Sequence, residues 1–171
     1  MFFSLIFSLC CVTAWALPQY QPQYYSFSPT VGRGHGESFA SVGEGRITGV
    51  RIWEQSNSYI KGFQLKYENV WTPIYGSTSN EETELLLFEG EAIVQISGKY
   101  NPPNYIYCLR FVTSRGRSLI AGQPTGNSFN FYPVDGQSEL QIVSGRSDGT
   151  GIASIGAHWA LIYRNDSKAL T

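Results

Sequence analysis

No stretch of this chain sustains a helical period, and that constrains its fold more than any other feature. From about residue 30 onward, short apolar runs rich in β-branched and aromatic residues alternate with clusters of Gly, Asn, Asp and Ser. Ile47–Trp53 alternates and is bounded by Gly43, Glu44 and Gly45. Tyr59–Tyr67 follows with imperfect alternation: Ile60, Gly62, Gln64 and Lys66 fall on one face, and Tyr59, Phe63, Leu65 and Tyr67 on the other. Gly62 points to a bulge there. Further strands are expected at Glu84–Phe88, Ala92–Lys99, Ile106–Thr113, Ser118–Ala121, Ser128–Tyr132, Leu140–Ser144 and Ser154–Tyr163. Turn signals separate them at Asn80-Glu81, Glu89-Gly90, Ser114-Arg115-Gly116, Thr125-Gly126-Asn127, Asp135-Gly136 and Asp148-Gly149. The domain is all-β. Periodicity alone leaves a sandwich, a barrel and a radially repeated prism open.

The ends of the chain read differently. Residues 1–16 are apolar, too short to span a bilayer comfortably, and close on Ala14-Trp15-Ala16, a small-x-small cleavage pattern. They are expected to be a signal peptide, although the usual basic start is missing; a buried strand or an uncleaved anchor is the alternative. Residues 17–29 form a Pro/Gln/Tyr-rich leader without charge, expected to be extended and to join the first strand near Tyr25. The domain proper is placed at 30–163, followed by a tail at 164–171. With the leading segment removed, about 155 residues remain, enough for one domain with its own core. No other stretch is apolar enough to be a transmembrane segment, so the mature protein is expected to be soluble and secreted.

Charge is nearly balanced, with 12 Lys+Arg against 13 Asp+Glu. Such a chain lacks the basic footprint of a nucleic-acid binder. Cys10 and Cys11 leave with the signal peptide, and the remaining Cys108 cannot pair within the chain. It reads as a small buried hydrophobe or as a thiol for pairing between chains. Asn165-Asp166-Ser167 is the sole N-glycosylation sequon.

The stretch Gly145-Arg-Ser-Asp-Gly-Thr-Gly-Ile-Ala-Ser-Ile-Gly-Ala-His-Trp159 joins a Gly-rich turn to a strand. Such a turn exposes several backbone N–H groups together, because glycine accepts φ > 0 and lets a polar ligand approach the main chain. It resembles the sugar-binding loop of the jacalin-related lectins, and among them the zymogen granule branch. The segments Ile47-Thr-Gly-Val-Arg51, Gly98-Lys-Tyr100, Phe111-Val-Thr113, Arg115-Gly-Arg117, Gly126-Asn-Ser-Phe129 and Ser144-Gly-Arg-Ser147 carry the same likeness over residues 30–163. The resemblance implies a β-prism I fold: three four-stranded sheets around a pseudo-threefold axis. It also implies calcium-independent binding of mannose-type or related glycans at one end of the prism, with no cofactor, and storage in secretory granules.

In that family the sugar loop reads Gly-x-x-x-Asp, and the Asp carboxylate accepts from two hexose hydroxyls. Here Gly149-Thr150-Gly151-Ile152-Ala153 puts Ala153 at that position. The loop is also longer by one residue, Asp148, which either swings into the empty place or is an ordinary turn residue. Thr150, Gly151 and Ala153 keep their backbone donors. A second loop, Gly32-Arg-Gly-His-Gly-Glu-Ser-Phe39, has His35 between glycines that are adjacent in relatives; Gly36 can still donate its N–H, while His35 crowds the approach or adds a ring donor. A third, Gly98–Ile106, carries Tyr105 at the family's ligand-contacting Tyr, and the family's Lys is replaced by the stiffer Asn101-Pro-Pro-Asn104. Tyr105 either packs on a sugar face or is an ordinary exposed aromatic.

The carbohydrate-binding set is therefore Gly36, Tyr105, Asp148, Thr150, Gly151 and Ala153. Loss of a charged acceptor makes weak affinity the expectation, or a vestigial pocket on a protein that works through protein contacts. Sulfated polysaccharide is a third possible partner, through Lys61, Lys66, Lys99, Arg110, Arg115 and Arg117. Enzyme motifs for metal chemistry or phosphate transfer are missing: there is no H-x-H, C-x-x-C or phosphate loop. His158 reads as structural, and Glu81, Glu82 and Glu84 as a solvated face.

Overall fold

A computed structural model describes residues 24–161. The signal peptide, residues 17–23 of the leader, and the tail with Asn165 lie outside the described residues. Among the described residues all regular structure is β.

In the described residues thirteen strands form three antiparallel sheets. The first has the order β1 (Tyr24–Gly32), β13 (Ile152–Leu161), β12 (Ser138–Ser147), β2 (Glu37–Ala40). The second runs β10 (Ser118–Gly122), β9 (Ile106–Thr113), β8 (Ile93–Tyr100), β11 (Asn127–Phe131). The third runs β5 (Val70–Trp71), β4 (Ile60–Tyr67), β3 (Ile47–Glu54), β7 (Glu81–Leu86), with β6 (Tyr75–Gly76) also pairing β4. This is the expected β-prism, with one short extra strand on the third sheet.

The inner faces of all three sheets meet in one core. Val143, Ile155, Ala157 and Trp159 come from the first sheet. Ile96, Leu109, Phe111 and Phe129 come from the second, and Val50, Ile52, Phe63 and Leu65 from the third. Trp159, Phe63 and Phe111 are wholly buried. Each such side chain contributes about 1.5–3 kcal/mol of transfer free energy.

The leader joins the first strand near Tyr25, as expected: residues 24–29 are the first part of β1, with Tyr25 facing Ala160 and Phe27 facing His158 in the ladder. Pro29 did not end the strand because a register irregularity between Ser28 and Val31 accommodates it. Ile60 was placed with Gly62, Gln64 and Lys66, yet it is fully buried with Phe63 and Leu65. The β3–β4 register jumps from Trp53–Gly62 to Glu54–Ile60, and that irregularity beside Gly62 returns Ile60 to the core. The short strands β2, β5 and β6 were not anticipated.

At the foot of the second sheet a buried carboxylate ties two turns together. Glu91 accepts from Arg117 Nε at 3.0 Å and Nη2 at 2.6 Å, from the Thr113 hydroxyl at 2.5 Å and from the Phe88 N–H at 2.8 Å. The hydrogen bonds from Arg117 lead in holding its pKa down at about 2, against 4.5 ordinarily, and burial opposes them. A depressed folded-state pKa means that this stabilisation is complete above about pH 4.5 and lost as pH falls towards 2. Glu91→Gln should lower stability at pH 7 by about 2 kcal/mol, several degrees in Tm. It should also flatten the acid limb of a Tm-against-pH curve; an unchanged acid limb would refute this role.

Candidate functional site

Strand β13 decides where the site forms. Its residues Ile152 to Ala157 are all buried, and it is paired on both edges. Such a position suits small side chains, and Ala153, Ser154, Gly156 and Ala157 supply them. On one edge β1 ends with Gly32 opposite Ser154; on the other β12 ends with Ser147 opposite Ile152. The connection from β1 to β2 therefore lies beside the turn from β12 to β13. Contact between them is main chain on main chain: a Cβ on Gly36, at φ 97°, would fall 2.4 Å from the Ser147 carbonyl oxygen. Only glycine fits there. The Arg33 N–H donates to the Ala153 carbonyl at 3.0 Å, and the Arg146 guanidinium donates to the Gly36 carbonyl at 2.8 Å.

The β8–β9 hairpin brings the third loop to the same end. Asn101 N–H donates to the Tyr105 carbonyl at 3.0 Å and Asn104 N–H to the Asn101 carbonyl at 2.9 Å, which closes the Pro102-Pro103 turn. Tyr105 then points its hydroxyl at Asp148, 2.9 Å from Oδ2. The expected residues Tyr105, Asp148, Thr150 and Gly151 are thus in direct contact, and Gly36 abuts them through Ser147 and Asp148. Ala153 lies in β13, wholly buried.

Asp148 is the hub. Its Oδ1 accepts from the N–H groups of Thr150 at 3.0 Å and Gly151 at 3.3 Å. Its Oδ2 accepts from Tyr105 and from the Arg33 guanidinium, with which it forms an ion pair. Burial pushes its pKa up, but the hydrogen bonds from Tyr105, Thr150 and Gly151 and the charge of Arg33 outweigh burial and hold it below the ordinary carboxylate value. Two of the backbone donors expected to meet a ligand are therefore engaged by the chain's own side chain.

Two participants escaped the sequence reading. Arg33 lies over the Tyr105 ring, 4.7 Å from its centroid. Tyr59, at the start of the third sheet's β4, stacks on Tyr105 with centroids 4.5 Å apart and packs against Gly151, where a Cβ would come within 2.8 Å of the Tyr59 ring. Burial first, then Tyr105 and Asp148, raise the Tyr59 pKa. The signal for Arg33 was present in the sequence as a long cation set between Gly32 and Gly34, opposite the extra Asp. For Tyr59 there was none, since its contact depends on how two sheets meet. Beside the hub, a cleft of about 710 Å³ runs between β2 and β6, lined by Gly36, Phe39, Ile74, Tyr75, Asp148 and Gly149 among others.

The remaining candidates lie elsewhere. His158 faces Phe27 edge-on at 4.9 Å and shares a hydrogen bond with the Ser144 hydroxyl at 2.9 Å. Cys108 is half-buried in β9, and burial raises its thiol pKa. Of the basic residues, Arg117 is tied to Glu91, Arg115 donates to the Glu89 carbonyl at 2.8 Å, Lys99 donates to Ser128 at 2.8 Å, and Lys66 lies 5.8 Å from the Trp71 ring.

Comparison with known proteins agrees with this geometry. The family described as the Jacalin-like lectin domain matches residues 28–158. Zymogen granule membrane protein 16 of Mus musculus is 38% identical over 154 residues, covering 88% of this chain and 89% of its own. Prostatic spermine-binding protein of Mus musculus is 29% identical over 140 residues, 79% of this chain and 68% of its own. Among solved structures, a prostate-specific WGA16 glycoprotein lectin superposes with a TM-score of 0.69 at 30% identity, covering 80% of this chain and 99% of that one. Malaysian banana lectin shares the fold, with a TM-score of 0.67 at 21% identity over 81% of this chain and 99% of its own.

Because Asp148 collects four donors, Asp148→Ala should loosen the turn without unfolding the prism. Hydrogen exchange at Thr150 and Gly151 should speed up by about tenfold, and stability should fall by about 1 kcal/mol. Unchanged exchange at both amides would show that the turn holds itself.

Proposed function

The chain belongs to the jacalin-like lectin family, and on that premise we propose that it is a secreted glycan-binding protein that takes mannose-type or related hexoses weakly. The single observation that carries this reading is the convergence of Gly36, Tyr105, Thr150 and Gly151, from three separate loops, at one end of the prism. Main-chain donors in glycine-lined turns suit hydroxyl-rich ligands, because the backbone can approach closely. Relatives named for the zymogen granule membrane support a place in the secretory route.

Weakness follows from the acceptor inventory. Ala153 offers no carboxylate, and the Asp148 carboxylate is engaged four times over. A hexose must either use the remaining main-chain groups or displace Asp148 from Thr150 and Gly151. Either route leaves few net hydrogen bonds, and a dissociation constant on the order of millimolar is expected. Tyr105 has Tyr59 and Arg33 at stacking distance, so its ring edge and hydroxyl are its contribution more than a free face.

The same engagement favours a second reading, in which the pocket is closed for good and the protein works through protein contacts. NMR titration with methyl α-mannoside separates the two. Shifts should concentrate at the amides of Gly34, Gly36, Thr150 and Gly151, saturate in the millimolar range, and vanish in Tyr105→Ala. No shifts, together with a silent glycan array at high protein density, would leave the protein-contact reading standing.

A further inference from the structure

The donors around Asp148 form a cradle for a carboxylate. Two backbone N–H groups converge on one oxygen, and a phenol and a guanidinium converge on the other. That is the donor set that an anionic carboxyl group prefers over a neutral hydroxyl, since charge-assisted bonds are the shorter and stronger ones. Position 148 supplies an occupant from within the chain, but an imperfect one. Arg33 reaches it through Nη2 alone, and Arg33 Nε is shielded from solvent and donates to nothing. The guanidinium fork, built to hold a carboxylate by two parallel bonds, is half used. A short side chain pinned by Thr150 and Gly151 in its own turn cannot also square itself to that fork.

Resting on the sugar-binding reading above, we infer that this site is specific for acidic sugars: hexoses whose carboxylate, as in a uronic acid, replaces that of Asp148. A ligand carboxylate is free of the tether at 148 and can present both oxygens to Nε and Nη2 of Arg33, with the Tyr105 hydroxyl completing the set. The sugar's hydroxyls then lie towards Gly36 and the cleft beside it, whose rim includes Gly149 and Tyr75. Asp148 has somewhere to go: its side chain is 27% exposed and neighbours solvent. Exchange keeps the charge of the cradle balanced, because one carboxylate leaves as another enters. The Arg146 guanidinium on the Gly36 carbonyl adds a second positive group at the rim, opposed by exposed Glu37.

The test compares D-glucuronate with D-glucose, which differ only at C6, by NMR titration of the full chain. The wild-type protein should bind glucuronate at least tenfold more tightly than glucose. Asp148→Asn keeps a carbonyl acceptor for Thr150 and Gly151, so the turn is retained while the competing charge is removed. It should tighten glucuronate by about a further tenfold, and acetate alone should then shift the Arg33 Nε–H resonance. Arg33→Gln should bring the glucuronate-to-glucose ratio to about one. Equal affinities in the wild type, or no gain for glucuronate in Asp148→Asn, would overturn the acid preference while leaving the glycan-binding reading intact. No shift with either sugar in any variant would likewise overturn the acid preference, and the glycan-binding reading would then stand or fall with the methyl α-mannoside titration.

Discussion

Backbone hydrogen bonding along both edges of β13 is the constraint on which the site depends. A strand flanked by β1 and β12 and buried from Ile152 to Ala157 leaves little room at its small residues Ala153, Ser154 and Gly156, and its neighbours close on it there as main chain. They do so at glycines: a Cβ on Gly32 would fall 2.3 Å from the Ala153 carbonyl oxygen, and one on Gly145 2.0 Å from that of Ser154. Because the contact is at van der Waals limits on each side, the ladder leaves the loops little freedom in where they start. Gly32 and Ser147 leave their strands side by side, so residues 33–36 and 148–151 share one patch of surface. The site is thus a by-product of sheet geometry before any functional side chain is considered.

Carboxylate–guanidinium pairs recur at the ends of the prism, and their surroundings separate two uses. Glu91 is shielded completely, and Arg117 holds it from two nitrogens while Thr113 and Phe88 complete its shell. Nothing can exchange with it without unfolding the turns it joins. Asp148 has a comparable number of donors but retains solvent access, and its Arg33 partner has an idle nitrogen. The same chemistry therefore makes a fully shielded staple in one place and a solvent-accessible contact in the other. Burial, more than the number of hydrogen bonds, draws the distinction.

What could be read from sequence follows from which interactions are local. Strands such as β9 and β3 declare themselves because alternation is a property of consecutive residues, and β9 was placed at the residues where it is found. The three-sheet arrangement came from resemblance, since periodicity could not distinguish a prism from a sandwich. The start of β1 near Tyr25 was legible only as an extended stretch, because Pro29 and the Pro/Gln/Tyr composition before it carry little strand propensity of their own; pairing with β13 overrides that propensity. Ile60 was turned to the wrong face because one unpaired residue inverts alternation beyond it. Of the site, loop residues in Gly-rich segments were visible, whereas Tyr59 was not, because its stacking on Tyr105 joins the third sheet to the second.

Moving an acceptor from a strand to a turn changes what the acceptor can do. A carboxylate on β13 at position 153 would be held by a strand paired on both edges, always facing the same way. Asp148 instead sits in a turn that its own side chain holds shut, through Thr150 and Gly151. An open arrangement, in which those donors were free, would have to make up for the four bonds of the closed one. A ligand shifts the balance between the two only by the difference between what it gives the cradle and what Asp148 already gives it. Neutral hydroxyls offer the cradle less than the resident carboxylate does, so they compete poorly; a second carboxylate competes on equal terms and gains whatever the tether at 148 withholds. Selectivity in such a site comes from the internal competitor as much as from the pocket walls.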